Sequence, residues 1–585
     1  MKYSSIPSAQ AIVYHCKVKG INNIVISPGS RNAPLIIGFT GDPFFSCFSI
    51  VDERCAAFYA LGIAQQQRGP VALVCTSGSA LLNYFPAVAE AFYSDIPLVV
   101  ISADRPLYKL DIGDGQTIRQ EGVFGKHVGY SAQLKQDVTH ATSVYKHHFT
   151  EWSEEKEFLE RDQIKVQEHN DKELNTAINI AIKVKLPVHI NVPFEEPLYR
   201  AIEFPSISPK VVPVEADTVE NALDLREFAQ IWNNCDRKMI LIGSYPPNLM
   251  EQSLLDQLAN DASVLVFTET TSNMHHPNFF PSIDSILAPI EKSGEGEMES
   301  LALRPQLLLT FGGMVVSKKI KAFLRHNKPD HHWHIDPKKA YDTYFCLSHH
   351  FEMAPNTFFS KFLVGVKPVE SDYRRYWSAV KLRYETRRNS YLSEIPFSDM
   401  RAYHLVLNGI PEAYQLQLAN SSTVRYSQLF DLHPSLSVFC NRGTSGIDGS
   451  ISTAIGASVY HKTPTLLLTG DLSFFYDSNS LWNSAIRSDF RIIVVNNQGG
   501  GIFRILPGQE ETEIFDTFFE AKHGLDAHHL CRMYNLEYSV ASDAETLKIA
   551  LANFYMKSRI PKLLEIKTPR LLNHKTLLGY FDCLS

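Results

Sequence analysis

The sequence has no CxxC pair. Its nine cysteines, at 16, 47, 55, 75, 235, 346, 440, 531 and 583, are scattered, and several sit in apolar runs such as VALVCT. That excludes a disulfide frame and fits reduced, buried thiols. No apolar run approaches the roughly 18 residues needed to span a bilayer. The opening stretch MKYSSIPSAQAIVYHCKVKG lacks the continuous apolar segment of a signal peptide, so a cytoplasmic protein is expected. Basic charge is not in surplus: the net charge is −7, which leaves no footprint for nucleic acid. A local pocket of arginines can still oppose that global sign and hold small anions. There is no GxxxxGK[ST], and the Gly-Asp turn GDLSFF is not GxGxxG, so neither the P-loop nor the dinucleotide fingerprint applies.

What is present is an ordinary globular composition, 44% hydrophobic and 20% charged, over 585 residues. That length suggests about three or four domains. Short β-branched runs alternate with helix-like segments: NNIVISP, PVALVCT, IPLVVISA, KMILIGS, SVLVFTE, PQLLLTF, SVFCN, PTLLLTG and RIIVVNN. Runs buried on both faces and separated by helices predict mostly parallel sheets covered by helices, an α/β protein with more than one sheet.

A distant internal repeat supports this reading. Residues 70–102 and 464–497 each read as strand, Gly turn, amphipathic helix, acidic turn, strand. Upstream, CAAFYALGIA (55–64) has its counterpart in STAIGASVY (452–460). The proline- and serine-dense stretch 203–218 is a candidate linker. Around 352–400 the strand pattern gives way to aromatic, basic, helix-like sequence. The expected domains are 1–202, 219–352 and 400–585. TEWSEEKEFLERDQ (150–163) is expected to be a solvated helix face. The tract DHHWHID (330–336) has no second cluster with ligand spacing and is read as a strand edge, not a transition-metal site.

Two strand ends carry chemistry. PTLLLTG runs into Asp471, and RIIVVNN ends at Asn497 before QGGGIF. Neighbouring parallel strands would bring both ends into the crevice where open α/β sheets bind ligands. A carboxylate, an amide carbonyl and the bare backbone of Gly499 are hard oxygen donors. They suit Mg²⁺, which completes its octahedron with phosphate oxygens and water. A metal-bridged diphosphate explains this set better than a phosphate loop without metal. The bland alternative, Asp and Asn merely shaping loops, stays open on these residues alone. Glu53, in VDERCAAFYALG behind the turn SPGSRNAPL, is on its own readable as an acid at a helix start.

Together these features resemble the thiamine-diphosphate enzymes. ISPGSRNAPL, DERCAAFYALG, SADRP, INVPFEEPLY, NRGTSGIDGSISTAIG, GDLSFFYDSN and VVNNQGGGIF stand in the order of the 2-succinyl-5-enolpyruvyl-6-hydroxy-3-cyclohexene-1-carboxylate synthases of menaquinone biosynthesis. The resemblance covers essentially the whole chain. Leu472 stands where the wider superfamily has Gly, as it does in this narrower family.

The resemblance implies a pyrimidine-binding domain, a central domain and a diphosphate-binding domain. It implies thiamine diphosphate and Mg²⁺, with Mn²⁺ as a substitute, and a homodimer or homotetramer. Glu53 would contact the cofactor's pyrimidine ring, Ile447 would wedge the cofactor into its bent shape, and Asp471, Asn497 and the Gly499 carbonyl would hold the metal. The implied substrates, 2-oxoglutarate and isochorismate, are dianions, which favours the two-point fork of arginine. Arg31, Arg105, Gln116, Arg425 and Arg442 match catalytic positions; Ser421, Lys318 and Phe503 match further substrate contacts. Gly115 replaces a frequent asparagine, so one substrate hydrogen bond is expected to be missing. The stretch 144–170 exceeds the family pattern. The competing readings are a different thiamine-diphosphate enzyme, such as a 2-oxoacid decarboxylase or acetolactate-type synthase, and a cofactor-free scaffold that keeps the fold.

Overall fold

The computed structural model describes residues 2–142, 156–215, 223–292, 296–505 and 512–585. Its contacts divide into two compact units: Met1–Thr218 with Gly443–Lys462 and Asp477–Arg487, and the remainder. All nine expected strand runs form strands.

The first unit holds a six-stranded parallel sheet of Asn23–Ile26 (β1), Ser46–Ser49 (β2), Val71–Cys75 (β3), Leu98–Asp104 (β4), Tyr130–Gln133 (β5) and Val188–Pro193 (β6), in the order β2-β1-β3-β4-β6-β5. The central strands β3, β4 and β6 are buried along their whole length, as continuous apolar runs require.

The second unit holds two sheets. The central one has Lys238–Ile242 (β7), Val264–Phe267 (β8), Leu307–Phe311 (β9), His331–Ile335 (β10) and His349–Phe351 (β11), in the order β8-β7-β9-β10-β11. The last has Gln415–Leu418 (β12), Ser437–Cys440 (β13), Thr465–Gly470 (β14), Arg491–Asn496 (β15), Glu537–Ala541 (β16) and Lys562–Lys567 (β17). Its order, β13-β12-β14-β15-β17-β16, repeats that of the first sheet strand for strand. Helices Pro355–Phe362 and Tyr373–Glu394 fill the aromatic, basic stretch between the two sheets in sequence. One hydrophobic core joins them, with Leu308 and Trp377 in the same cluster as Leu468 and Ile493.

The helices that carry the upstream repeat pack against each other within the first unit. Glu53–Gln67 is capped by Asp52, whose side chain accepts from Cys55 N at 3.2 Å. Its partner, Ser450–Tyr460, is held at its start by Asp477, which accepts from Ser452 N at 2.8 Å. A Cβ added at Gly62 would lie 2.1 Å from Thr453 O, and one at Gly456 would lie 2.0 Å from Tyr59 O. Each glycine thus meets the carbonyl three residues before the other, the reciprocity expected of two copies of one unit. Gly62→Ala must force the helices apart and should cost about 1–3 kcal/mol. A urea unfolding midpoint equal to that of the unsubstituted protein would count against this contact.

Three expectations need correction. The second copy of the repeat lacks a long amphipathic helix: Asp471–Tyr476 is short and is followed by a 3-10 turn, Ser478–Leu481. Its polar residues serve turns and caps, Asp477 above all. The histidine tract forms β10, which lies between β9 and β11 and is therefore not the edge. Its His332 and His334 both meet the Thr310 hydroxyl, at 3.0 and 2.8 Å. The acidic run at 150–163 falls partly outside the described residues. At its described end Gln163 is buried, its side-chain carbonyl accepting from Val138 N, so that position is not a solvated face. Of the linker, 203–215 is described; it is tied to the first unit through Ser206 N–Gln10 and Val212 N–Asn175 hydrogen bonds.

Candidate cofactor and substrate site

The second unit brings Asp471 and the QGGG loop together. Asp471, at the end of β14, is 3% exposed. Its Oδ1 accepts from Leu472 N at 2.7 Å and its Oδ2 from Gly499 N at 3.0 Å. Asn496, which ends β15, and its neighbour Asn497 divide their roles. Asn496 is committed to structure: its amide donates to Glu565 and to Leu525 O. Asn497 donates through Nδ2 to Asp399 Oδ2 at 2.8 Å, while its buried Oδ1 accepts no hydrogen bond among the described residues. A buried carbonyl oxygen without a partner is costly unless a ligand takes it. Gly499 has φ of 146°, and a Cβ there would lie 2.7 Å from Glu520 O, so only glycine fits. These donors fit a hard divalent cation. Among the described residues no three His, Cys, Asp or Glu side chains converge as another candidate metal site.

The loop is braced by an ion cluster around the buried Arg504–Glu520 pair. Arg504 makes a two-point contact with Glu520, at 2.7 and 2.6 Å, and reaches Asp516 at 2.9 Å, while Arg570 pairs with both acids. Glu520 O in turn accepts from Gly500 N at 2.6 Å. Phe503, on the same loop, is partly exposed and available as a wall.

In the first unit Glu53 opens its helix without capping it, because Asp52 does that work. Among the described residues the half-buried Glu53 side chain makes no hydrogen bond or ion pair, though its charge reaches the buried Cys75 thiol. The loop that presents Ile447 is anchored by buried Glu90, which accepts from Gly443 N and Thr444 N at 2.7 and 2.6 Å. Ile447 itself is partly exposed.

The cations form two groups. In the first unit Arg31 is buried, donates to Phe194 O at 3.0 Å and pairs with Glu196 at 2.5 Å. Arg105 donates to Gly115 O at 2.9 Å and lies 3.9 Å from the same carboxylate. Burial opposes ionisation of Glu196, but hydrogen bonds from Arg31 and Lys109 hold its carboxyl well below the usual range. Gln116 is exposed in a left-handed conformation, φ 57°. In the second unit Ser421 has φ of 66°, a strained backbone of the kind that clusters at functional sites. It precedes the Ser422–Ser427 helix that carries Arg425. Arg442 donates to Asn420 Oδ1 at 2.7 Å. Lys318 opens the Lys318–His326 helix, is exposed and makes no hydrogen bond or ion pair among the described residues.

Comparisons with known proteins match this layout. Residues 7–127 match the thiamine pyrophosphate enzyme N-terminal TPP binding domain, and residues 420–566 match the C-terminal TPP binding domain. The 2-succinyl-5-enolpyruvyl-6-hydroxy-3-cyclohexene-1-carboxylate synthase of Christiangramia forsetii is 52% identical over 583 residues, spanning 100% of this chain and 99% of its own. That of Flavobacterium psychrophilum is 51% identical over 586 residues, complete on both sides. The Porphyromonas gingivalis synthase is 36% identical over 604 residues, spanning 100% of this chain and 98% of its own. The chain belongs to the 2-succinyl-5-enolpyruvyl-6-hydroxy-3-cyclohexene-1-carboxylate synthase family.

In this member of the synthase family, three ionisable residues that the sequence did not single out lie near the candidate site residues. Asp399, behind Asn497, has burial as the main cause of a carboxyl pushed up to about 6, against hydrogen bonds from Thr568 and Asn497. Its only signal in SDMRAYHL is that of a helix-start acid. His523 Nε2 lies 3.3 Å from Asp471 Oδ2, and no motif marks it. Glu269, just beyond β8, accepts from Val316 N and Ser317 N; burial pushes its carboxyl up to about 7, with Arg442 among the groups that pull it back.

This last shift predicts a pH effect. The folded state holds a proton on Glu269 from its ordinary 4.5 up to about 7. The group therefore favours folding most below its unfolded value, and the contribution is lost as pH rises through about 7. Glu269→Gln should flatten the fall of melting temperature between about pH 4.5 and 7. An unchanged slope in that variant would locate the linkage elsewhere.

Proposed function

We infer that this chain decarboxylates 2-oxoglutarate and joins the remaining four-carbon unit to isochorismate by conjugate addition. The products are carbon dioxide and 2-succinyl-5-enolpyruvyl-6-hydroxy-3-cyclohexene-1-carboxylate, which makes it a carboligating transferase. The observation that carries this is the full-length match, at 52% and 51% identity, with synthases of that name.

Thiamine diphosphate, when bound, supplies the nucleophilic carbon and the electron sink that decarboxylation needs. The chain's own residues orient and protect. Asp471, Asn497 Oδ1 and the Gly499 carbonyl would hold Mg²⁺ against the diphosphate. Glu53 would exchange a proton with the pyrimidine nitrogen, and Ile447 would press the cofactor into its bent form. Arg31, Arg105, Gln116, Ser421, Arg425, Arg442 and Lys318 would meet the substrate carboxylates and hydroxyl groups, with Phe503 as an apolar wall. Substrate carboxylates would compete with Glu196 for Arg31 and Arg105. The domain division 1–202, 219–352 and 400–585, a cytoplasmic location and assembly as a homodimer or homotetramer complete the proposal. Among the described residues no helix is long and apolar enough to cross a membrane.

The test is direct. The pure protein is incubated with thiamine diphosphate, Mg²⁺, 2-oxoglutarate and isochorismate, and isochorismate loss and carbon dioxide release are followed together. Equal rates are expected. Carbon dioxide released with isochorismate untouched would identify a simple decarboxylase instead.

A further inference from the structure

We propose that Asp399 is a positioning residue for the metal: it fixes the orientation of the Asn497 amide so that the carbonyl oxygen, and not the NH₂, faces the cation. The inference rests on the Mg²⁺–diphosphate reading of Asp471, Asn497 and Gly499.

An asparagine side chain presents two faces of nearly equal shape, one an acceptor and one a donor. Only the acceptor can bind a cation, so something must choose between them. Asp399 does so with both of its oxygens acting as acceptors. Oδ2 takes the Asn497 Nδ2 hydrogen at 2.8 Å, and Oδ1 takes the Thr568 hydroxyl hydrogen at 2.5 Å. Asp399 is itself held, because its main-chain N donates to Asn573 Oδ1 at 2.8 Å. At 2% exposure, water has little access to serve in its place. Asn497 Oδ1, on the other side of the amide and without a partner among the described residues, is the consequence. An asparagine at 399 could donate as well as accept, and would tolerate the flipped amide. Metal sites commonly orient their ligands through such outer contacts, whose loss costs about 10- to 100-fold in metal affinity.

The experiment measures Mg²⁺-dependent binding of thiamine diphosphate to the full chain by calorimetry, with apo-protein melting recorded in parallel. Wild-type protein is measured first; no Mg²⁺-dependent binding there would overturn the metal reading and this inference with it. Given wild-type binding, Asp399→Asn should raise the half-saturating Mg²⁺ concentration about 10- to 100-fold, with the apo protein still folded. A folded Asp399→Asn protein that binds as wild type does would overturn the positioning role and leave the metal reading standing. If Asp399→Asn does not fold, Thr568→Val decides. It loosens Asp399 without touching Asn497, and a several-fold rise in half-saturating Mg²⁺ is expected; unchanged affinity would overturn the role.

Discussion

Glu53→Gln is expected to stop turnover while leaving Mg²⁺–diphosphate binding nearly intact. The substitution keeps shape and removes only the ability to exchange a proton. Folding should be almost indifferent, because Asp52 caps the helix and Glu53 makes no hydrogen bond among the described residues. Changes of this kind away from the core stay within about 0.5 kcal/mol. Catalysis should not be indifferent. Positioned proton transfer contributes about 10²- to 10⁴-fold, or about 3–5 kcal/mol of barrier. The proposed metal donors lie in a different unit of the chain, so affinity and turnover should separate. Steady-state isochorismate consumption and calorimetry on the same preparation check this. Turnover within tenfold of wild type would remove Glu53 from the chemistry.

The sheets and the site were not equally legible in the sequence. A strand buried on both faces must be apolar throughout, so VALVC, LVVISAD and RIIVVN declared themselves without any partner being known. The duplication was visible in ALGIA and AIGAS, and the reason is the reciprocal glycine contact, which admits no side chain at either position. Asp471 and Asn497 were legible as candidates because they sit at strand ends, a place that sequence position alone identifies. Asp399, His523 and Glu269 were not. Each acts through a partner far away in the chain, Asp399 on Asn497 and Glu269 on Val316 and Ser317. No local spacing encodes a pairing of that kind. The histidine tract shows the converse limit: alternation identified a strand, but whether a strand is an edge depends on a later one, His349–Phe351.

Asp471→Ala should reverse the Glu53 result and weaken cofactor binding first. The side chain has two duties, and the substitution must be read with both in mind. It accepts from Leu472 N and Gly499 N, so alanine strands two backbone donors, each at a cost of about 1–3 kcal/mol. Part of any loss of affinity would then come from a displaced glycine loop. Asp471→Asn separates the two effects. It keeps an oxygen in place but removes the negative charge that a hard divalent cation seeks. If the carboxylate is a metal ligand, both variants should raise the half-saturating Mg²⁺ concentration by about a hundredfold, equivalent to roughly 3 kcal/mol. If Asp471 only shapes the loop, asparagine should bind the cofactor nearly as wild type does and alanine should not. Excess Mg²⁺ should restore turnover in Asp471→Asn and fail to do so in Glu53→Gln, because a shortage of metal can be overcome by mass action and a missing proton carrier cannot. Unchanged affinity in Asp471→Ala would refute the metal assignment outright.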